Sequence, residues 1–319
     1  MDSHWIETEI MCPYCSDAYI SGRCKRVDEN TILCLRCKAS YPIIDGIPIA
    51  VIGYDLHLQE MEKRIEEDPG WFSKSQVEYY KKGPYRNHLQ KRRQYVSGII
   101  KQFLHKISIN ELLQPLRILD LGCGDGQNLE WLIKFIKINS KAIQLYATDY
   151  NLLRLRRTKN AFPDIKITLM DIHHPVFRKG YFHIIFCNHV LEHVSNPTFA
   201  LLKSSFMLND NGIIIIGVPN EGSLWWQLAY KLEPEVRKAT DHKHFFTMSQ
   251  LVEMTQKVEL SIIEEKYMGY GLPHFTADSV LKGSVAGIDD LMEELGQKFF
   301  KDQASSIYII CKKEVNNGK

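Results

Sequence analysis

Three groups of residues have the types and spacing that chemistry requires. The first is a set of thiols. Cys12 and Cys15 enclose two residues, Cys34 and Cys37 enclose two more, and 18 residues lie between the pairs. Two residues between thiols let one tight turn aim both sulfurs at a point, and two such turns complete a tetrahedron around zinc. Four thiolates fill the shell, so the ion would be structural, replacing a core that so short a segment cannot build. The bland alternative is four thiols spaced so by chance. Cys24, Cys123, Cys187 and Cys311 are scattered.

The second group is acidic and glycine-rich. Leu119-Asp-Leu-Gly-Cys-Gly-Asp-Gly126 follows one apolar run and opens a helical pattern. Gly122 and Gly124 would let a ligand rest against bare backbone. A dinucleotide fingerprint needs glycine at position 127, where Gln127 stands. Asp120 and Asp125 would repel a pyrophosphate and welcome a cation. Asp149 and Asp171 end the next two apolar runs, placed to take a ribose diol and to lie beside an adenine. Any one of these acids could be a helix cap. Together they mark the carboxyl edge of an open sheet, where such ligands bind.

The third group is histidine. In Asp241-His-Lys-His-Phe-Phe-Thr247, His242 and His244 stand two apart, so on an extended segment both rings face one side and Asp241 is left to anchor the loop. His189 and His193 follow the fourth strand as rival candidates. An imidazole titrates near neutrality and suits a general base, although a structural role is the ordinary fate of any one of the 12 histidines.

These residues need a scaffold, and the pattern supplies one. Strands are expected at Arg117–Leu121, Ile143–Thr148, Ile165–Met170, His183–Asn188, Ile213–Val218, Ile262–Tyr267 and Ile307–Lys312, and helices near Asn128–Ile138, Leu152–Ala161, Thr198–Leu208, Ser249–Lys257 and Asp289–Phe300. Near-continuous apolar runs such as Ile213–Ile216 mark strands buried on both faces, hence a mostly parallel sheet covered by helices. Asp45-Gly46 is a hairpin turn between two apolar runs. Between Tyr54 and Pro115 a connector opens acidic, breaks at Asp68-Pro-Gly70 and turns basic from Lys81 to Lys106, with Tyr95, Ile99, Ile100, Phe103 and Leu104 at helical spacing. Its basic face is either a phosphate-binding surface or an ordinary solvated one.

Composition sets the outer bounds. The 319 residues are 45% hydrophobic and 24% charged with net charge +2, an ordinary globular profile that neither demands nor excludes a nucleic-acid partner. No apolar run approaches the roughly 18 residues of a membrane span, and the first ten residues do not read as a secretory signal, so the expected location is cytoplasmic.

The glycine loop, Asp149, Asp171-Ile172, Phe182–Val194 and Gly212–Pro219 together resemble the class I S-adenosylmethionine-dependent methyltransferases, over roughly residues 113–319. Residues 10–53 resemble the zinc ribbons that partner or precede methyltransferases. The resemblance implies a doubly wound, Rossmann-like α/β fold, its seven-stranded sheet ending in an antiparallel strand. The expected division is a zinc ribbon at 1–53, a helical connector at 54–112 and a catalytic domain at 113–319. Asp120, Gly122, Gly124, Asp149, Asp171 and Asn188 would bind S-adenosylmethionine, and His242, His244 or His189 would serve as base. Asp210-Asn-Gly212 departs from the family's usual Pro-Gly-Gly.

The aromatic segment after the fifth strand, with Trp225, Trp226 and Tyr230, resembles the substrate lid of metabolite methyltransferases. It implies O-methylation of a small polar or sugar-type acceptor. The alternative is an RNA base methyltransferase that binds RNA through the ribbon and basic helix. Against it, the fourth strand ends Cys187-Asn-His-Val190 rather than in an Asn-Pro-Pro-Tyr loop. A third reading has the ribbon docking a protein partner, with no catalysis.

Overall fold

The computed structural model describes residues 4–17, 22–67, 83–107, 115–139, 143–285 and 287–313. The Asp68-Pro-Gly70 break and Lys81 and Lys82 of the basic run lie outside these residues. The chain forms two compact units, one of Met1–Val77, Ile109–Phe186 and Leu202–Gly212, the other of Glu78–Ser108, Cys187–Leu201 and Ile213–Lys319.

In chain order the elements begin with α1 (His4–Glu9), α2 (Pro13–Asp17), β1 (Cys24–Asp28), β2 (Thr31–Cys34), β3 (Ser40–Ile44), β4 (Ile47–Ala50), α3 (Tyr54–Glu67) and α4 (Arg86–Lys106). There follow β5 (Leu116–Leu121), α5 (Gln127–Asn139), β6 (Ile143–Asp149), α6 (Leu152–Ala161), β7 (Lys166–Met170), β8 (Phe182–Asn188), α7 (Pro197–Met207) and β9 (Leu208–Pro219). The last are α8 (Leu224–Leu232), α9 (Pro234–Lys238), α10 (Met248–Lys257), β10 (Leu260–Met268), α11 (Phe275–Ser284), α12 (Ile288–Phe299) and β11 (Ser306–Lys313).

In the first unit the strands run β1-β2-β3-β4-β7-β6-β5. The first four are antiparallel neighbours, and β7, β6 and β5 are parallel. The junction is parallel: Ile49 faces Leu169 and Ala50 faces Met170. Thr168 Oγ1 donates to the Pro48 carbonyl at 2.9 Å, and Arg156 reaches Asp45 at 2.6 Å. Asp45 and Gly46 both have positive φ, 53° and 73°, as a tight hairpin of two left-handed residues requires. Tyr146, Phe177, Tyr181 and Phe182 make an edge-to-face cluster in this unit's core.

In the second unit β11 lies antiparallel to both β9 and β10, so the expected antiparallel last strand is present. The Ile213–Ile216 run is buried. Helix α4 buries Val96, Ile99, Ile100 and Leu104. Thr247 and Gln250 close a capping box on α10.

The seven expected strands are β5 to β11. The described residues nevertheless contain eleven, so the seven-strand count is corrected. The physical reason is the β4–β7 pairing: an open edge carries unpaired backbone groups, and the cysteine-bearing segment supplies a strand to cover it.

Candidate functional site

In the first unit, β5, β6 and β7 bring their carboxyl ends to one edge, and the predicted acids follow them. Gly122, Gly124 and Gly126 all adopt left-handed φ, which only glycine takes without strain. The amides of Gly122 and Cys123 donate to the Thr148 carbonyl at 2.8 and 2.9 Å, pinning the loop to the end of β6. Asp149 accepts from Gly124 N–H through Oδ2 and from Asn151 N–H through Oδ1, both at 2.8 Å. It is thus fixed by backbone donors and still has lone pairs for a diol. A Cβ built on Gly124 would meet only Arg154 Nη1, at 3.8 Å, so the space against the loop is open.

Asp120 is buried and neither carboxylate oxygen has a hydrogen-bond partner. Burial pushes its pKa up to about 7, against a pull from Asn128 and with help from the Asp149 charge. An orphaned buried carboxyl beside an open glycine loop fits a ligand that brings a positive charge. Burial opposes ionisation of Asp171, but the amide and ring of His173, each at 2.9 Å from Oδ1, outweigh it and hold its pKa low. Asp125 is already paired with Arg157 at 3.2 Å. Tyr150 follows Asp149, and the buried His57 of α3 lies against its ring at 3.9 Å between centroids.

The four cysteines of the predicted metal site converge in the same unit. Their sulfurs all lie within 4.8 Å of one another. Cys12 Sγ is 3.6 Å from Cys37 Sγ, and Cys15 Sγ is 3.8 Å from Cys34 Sγ. Tetrahedral zinc with bonds of about 2.3 Å puts sulfurs about 3.8 Å apart, so this set could hold it. Gly22 lies against the first knuckle, and a Cβ there would fall 2.3 Å from Cys15 Cβ. Cys15 lies in α2 and Cys12 immediately before it, rather than both on the simple turn expected, because Pro13 starts a short helix.

The second unit holds the histidines, with Asn188. The Asn188 Oδ1 accepts from the Tyr308 hydroxyl at 2.8 Å. His189 has a left-handed φ of 55° at the end of β8. The Arg92 guanidinium donates to its Nε2 at 3.0 Å, so the ring proton sits on Nδ1, which faces Glu192 Oε1 at 3.2 Å. Burial keeps this ring neutral, and both its nitrogens are engaged.

His242 Nδ1 donates to the Glu221 carboxylate, 2.8 Å from each oxygen. Glu221 also accepts from the Tyr230 hydroxyl. His193 Nδ1 pairs with Asp241 at 2.9 Å, and the His193 and His242 rings meet nearly edge-to-face at 4.7 Å. His244 Nε2 donates to the Val194 carbonyl at 3.0 Å, while the amides of Lys243 and His244 both donate to the Glu192 carbonyl. A cavity of about 340 Å³ opens beside His244, lined also by Lys243, Phe245, Phe246, Met254 and Lys257.

The structure thus brings His189, His193 and His242 together around Glu192 and sets His244 beside a cavity. Glu192, Glu221, Arg92 and Tyr308 were not singled out from sequence. Their only signal was Glu192-His193 immediately after the fourth strand; the others reach the cluster from distant segments. Among the described residues no helix is long and apolar enough to cross a membrane.

Comparison with known proteins gives this geometry a context. Residues 88–265, more than half of the chain, match the family described as "Methyltransferase domain". A 37.1 kDa protein in transposon TN4556 of Streptomyces fradiae is 30% identical over 33% of this chain, and the match spans only 31% of that protein. The ubiquinone biosynthesis O-methyltransferase of Colwellia psychrerythraea is 24% identical over 56% of this chain and 74% of its own length. Among solved structures, a candidate sarcosine dimethylglycine methyltransferase from Galdieria sulphuraria superposes with a TM-score of 0.50 at 10% identity, covering 72% of this chain and 88% of that one. That likeness shows the Rossmann-like methyltransferase fold.

Proposed function

The chain belongs to the methyltransferase-domain family and is an S-adenosylmethionine-dependent methyltransferase; from that premise we propose that it methylates an oxygen of a small polar, metabolite- or sugar-type acceptor. S-adenosylmethionine supplies an electrophilic methyl with its own leaving group. This chain's residues must bind it, align the acceptor and take the acceptor's proton. We assign cofactor binding to Asp120, Gly122, Gly124, Asp149, Asp171 and Asn188. Cys12, Cys15, Cys34 and Cys37 hold a structural zinc. The expected division into a ribbon at 1–53, a connector at 54–112 and a catalytic domain at 113–319 stands as a proposal.

The observation that carries O-methylation is a pair of histidines in the second unit, His242 held by the Glu221 carboxylate and His244 by the Val194 carbonyl. Glu221 occupies His242 Nδ1, which leaves Nε2 as the basic nitrogen. His244 donates through Nε2, which leaves Nδ1. A hydroxyl acceptor needs such a base, and one of these two provides it. His189 has no lone pair to offer, since Arg92 takes it. The similarity to ubiquinone biosynthesis O-methyltransferases points the same way. The cavity beside His244 falls within the size range of small-molecule sites, about 300–1,000 Å³.

The RNA reading asks the basic helix α4 to face phosphate. Two of its cations are used inside the second unit: Arg92 on His189 and Ser306, and Lys91 on Asp290 at 2.7 Å. That lowers its appeal. A protein partner for the ribbon finds no support in a particular contact. The test is a methyl-transfer screen over hydroxylated metabolites, sugars and total RNA, followed by His242→Ala and His244→Ala on the acceptor found. Full turnover by both variants would remove the histidine base.

A further inference from the structure

We propose that Glu192, His193 and His242 form a binding site for a divalent transition-metal cation, separate from the four-cysteine site. One ligand atom from each of the three lies within 4.8 Å of the others. Glu192 is fully buried, and its Oε2 has no hydrogen-bond partner. Its one close ring contact, His189 Nδ1 at 3.2 Å, is on Oε1, so Oε2 remains for another partner. A buried carboxylate left in that state is costly unless something positive completes it.

The two histidines are prepared in the way metal ligands are. Each ring gives Nδ1 to a carboxylate: His193 to Asp241 at 2.9 Å and His242 to Glu221 at 2.8 Å. The Glu221 hydrogen bond fixes the His242 tautomer with the lone pair on Nε2, and the two carboxylates orient both rings. His193 Nε2 lies 3.9 Å from Glu192 Oε1. Two oppositely charged or hydrogen-bonding groups would approach more closely. Two atoms that share a tetrahedral ion at about 2.0–2.2 Å lie about 3.3–3.6 Å apart, so a shift of a few tenths of an ångström would close this pair on one ion.

The outer carboxylates also account for features that a purely structural reading leaves idle. Glu221 is buried with Tyr230 as its other partner, and Asp241 comes from the segment that carries His242. Two imidazoles and one carboxylate suit zinc, iron, cobalt or nickel, and three protein ligands leave coordination positions open. Resting on the O-methylation reading, an open position would take the acceptor's oxygen and make its proton easier to remove. With His242 on the ion, His244 is the base.

The experiment needs no acceptor, so its outcome is independent of that reading. Full-length protein is first loaded with one equivalent of zinc per chain, which the four thiolates take in preference, then freed of excess metal and titrated with Co²⁺ by calorimetry and visible absorption. We expect one Co²⁺ per chain with weak nitrogen- and oxygen-ligand bands and no thiolate charge-transfer band. Glu192→Gln and His193→Ala should each weaken binding by at least tenfold. Glu221→Gln and Asp241→Asn, which leave all three ligands in place, should weaken it by about tenfold to 100-fold through lost orientation. Circular dichroism of each variant guards against misfolding. No stoichiometric cobalt binding, a thiolate band, or wild-type affinity in folded Glu192→Gln would each overturn the site.

Discussion

The two units solve the same problem, fixing a polar side chain where a ligand must find it, by different means. In the first, the acids are held by backbone: Asp149 by the amides of Gly124 and Asn151, and the loop itself by the Thr148 carbonyl. In the second, most of the polar groups are held by other side chains, His242 by Glu221, His193 by Asp241 and His189 by Arg92, while His244 rests on the Val194 carbonyl. Backbone donors have fixed positions once the strand and loop form, so the first arrangement suits an unchanging cofactor. Side-chain pairs can be exchanged one at a time without disturbing a strand, which suits a site that must match one acceptor among many.

If this contrast is right, the two ends should fail differently. The largest effect belongs to the second unit. Removing the base, by His242→Ala or His244→Ala, should lower turnover by roughly 100-fold or more while S-adenosylmethionine affinity stays the same. A variant that loses both together would blur the division.

The second effect is the mirror image. Asp149→Ala should weaken S-adenosylmethionine binding by about 1.5–3 kcal/mol, as for charge-assisted hydrogen bonds. Calorimetric titration reads this directly, and equal affinities would remove Asp149 from the site. Turnover at saturating cofactor should be little changed.

What was legible in the sequence follows the same line. Strands β5 to β11, the glycine loop and the acids at the strand ends could be read because the signals are local: an apolar run, a turn, a carboxylate. The four cysteines could be read because their spacing in sequence is that of a tetrahedral thiolate site, and their sulfurs do converge. The edge pairing of β4 with β7 could not, since it joins Ile49 to Leu169 and nothing near either residue announces the other. Helices α8 and α9 were folded into an undivided lid, because Trp225, Trp226 and Tyr230 signal burial and not its shape. Glu221 and Arg92 reach the histidines from distant parts of the sequence and look like surface charges when read alone.

The β4–β7 pairing also sharpens the comparison, since it ties the cysteine-bearing segment to the strand that Asp171 follows. Gly22→Ala would force a Cβ against Cys15 and should cost about 1–3 kcal/mol as an overpacking change. Zinc retention and the melting temperature should both fall. Because the segment is hydrogen-bonded into the first unit's sheet, S-adenosylmethionine affinity should fall measurably as well, whereas an independent ribbon would leave it untouched.

The smallest effect is a pH dependence at Asp120, whose carboxyl is raised from 3.8 to about 7. The folded cofactor-free protein holds a proton there that the unfolded chain has already released, so this group's contribution to stability falls as pH rises through that window. A cationic cofactor favours the ionised carboxylate. Binding should therefore release a proton near neutrality and weaken by up to about tenfold per pH unit below about 7. Calorimetry in two buffers of different ionisation enthalpy measures the proton, and Asp120→Asn should abolish its release.

The most direct test of the central claim is where the methyl goes. Protein incubated with methyl-labelled S-adenosylmethionine and three separate pools, of hydroxylated metabolites, sugars and total RNA, should place the label in a small molecule as a methyl ether, and a folded variant lacking the base histidine should not. Label appearing only in RNA bases, or on a nitrogen or carbon of the small molecule, would contradict it.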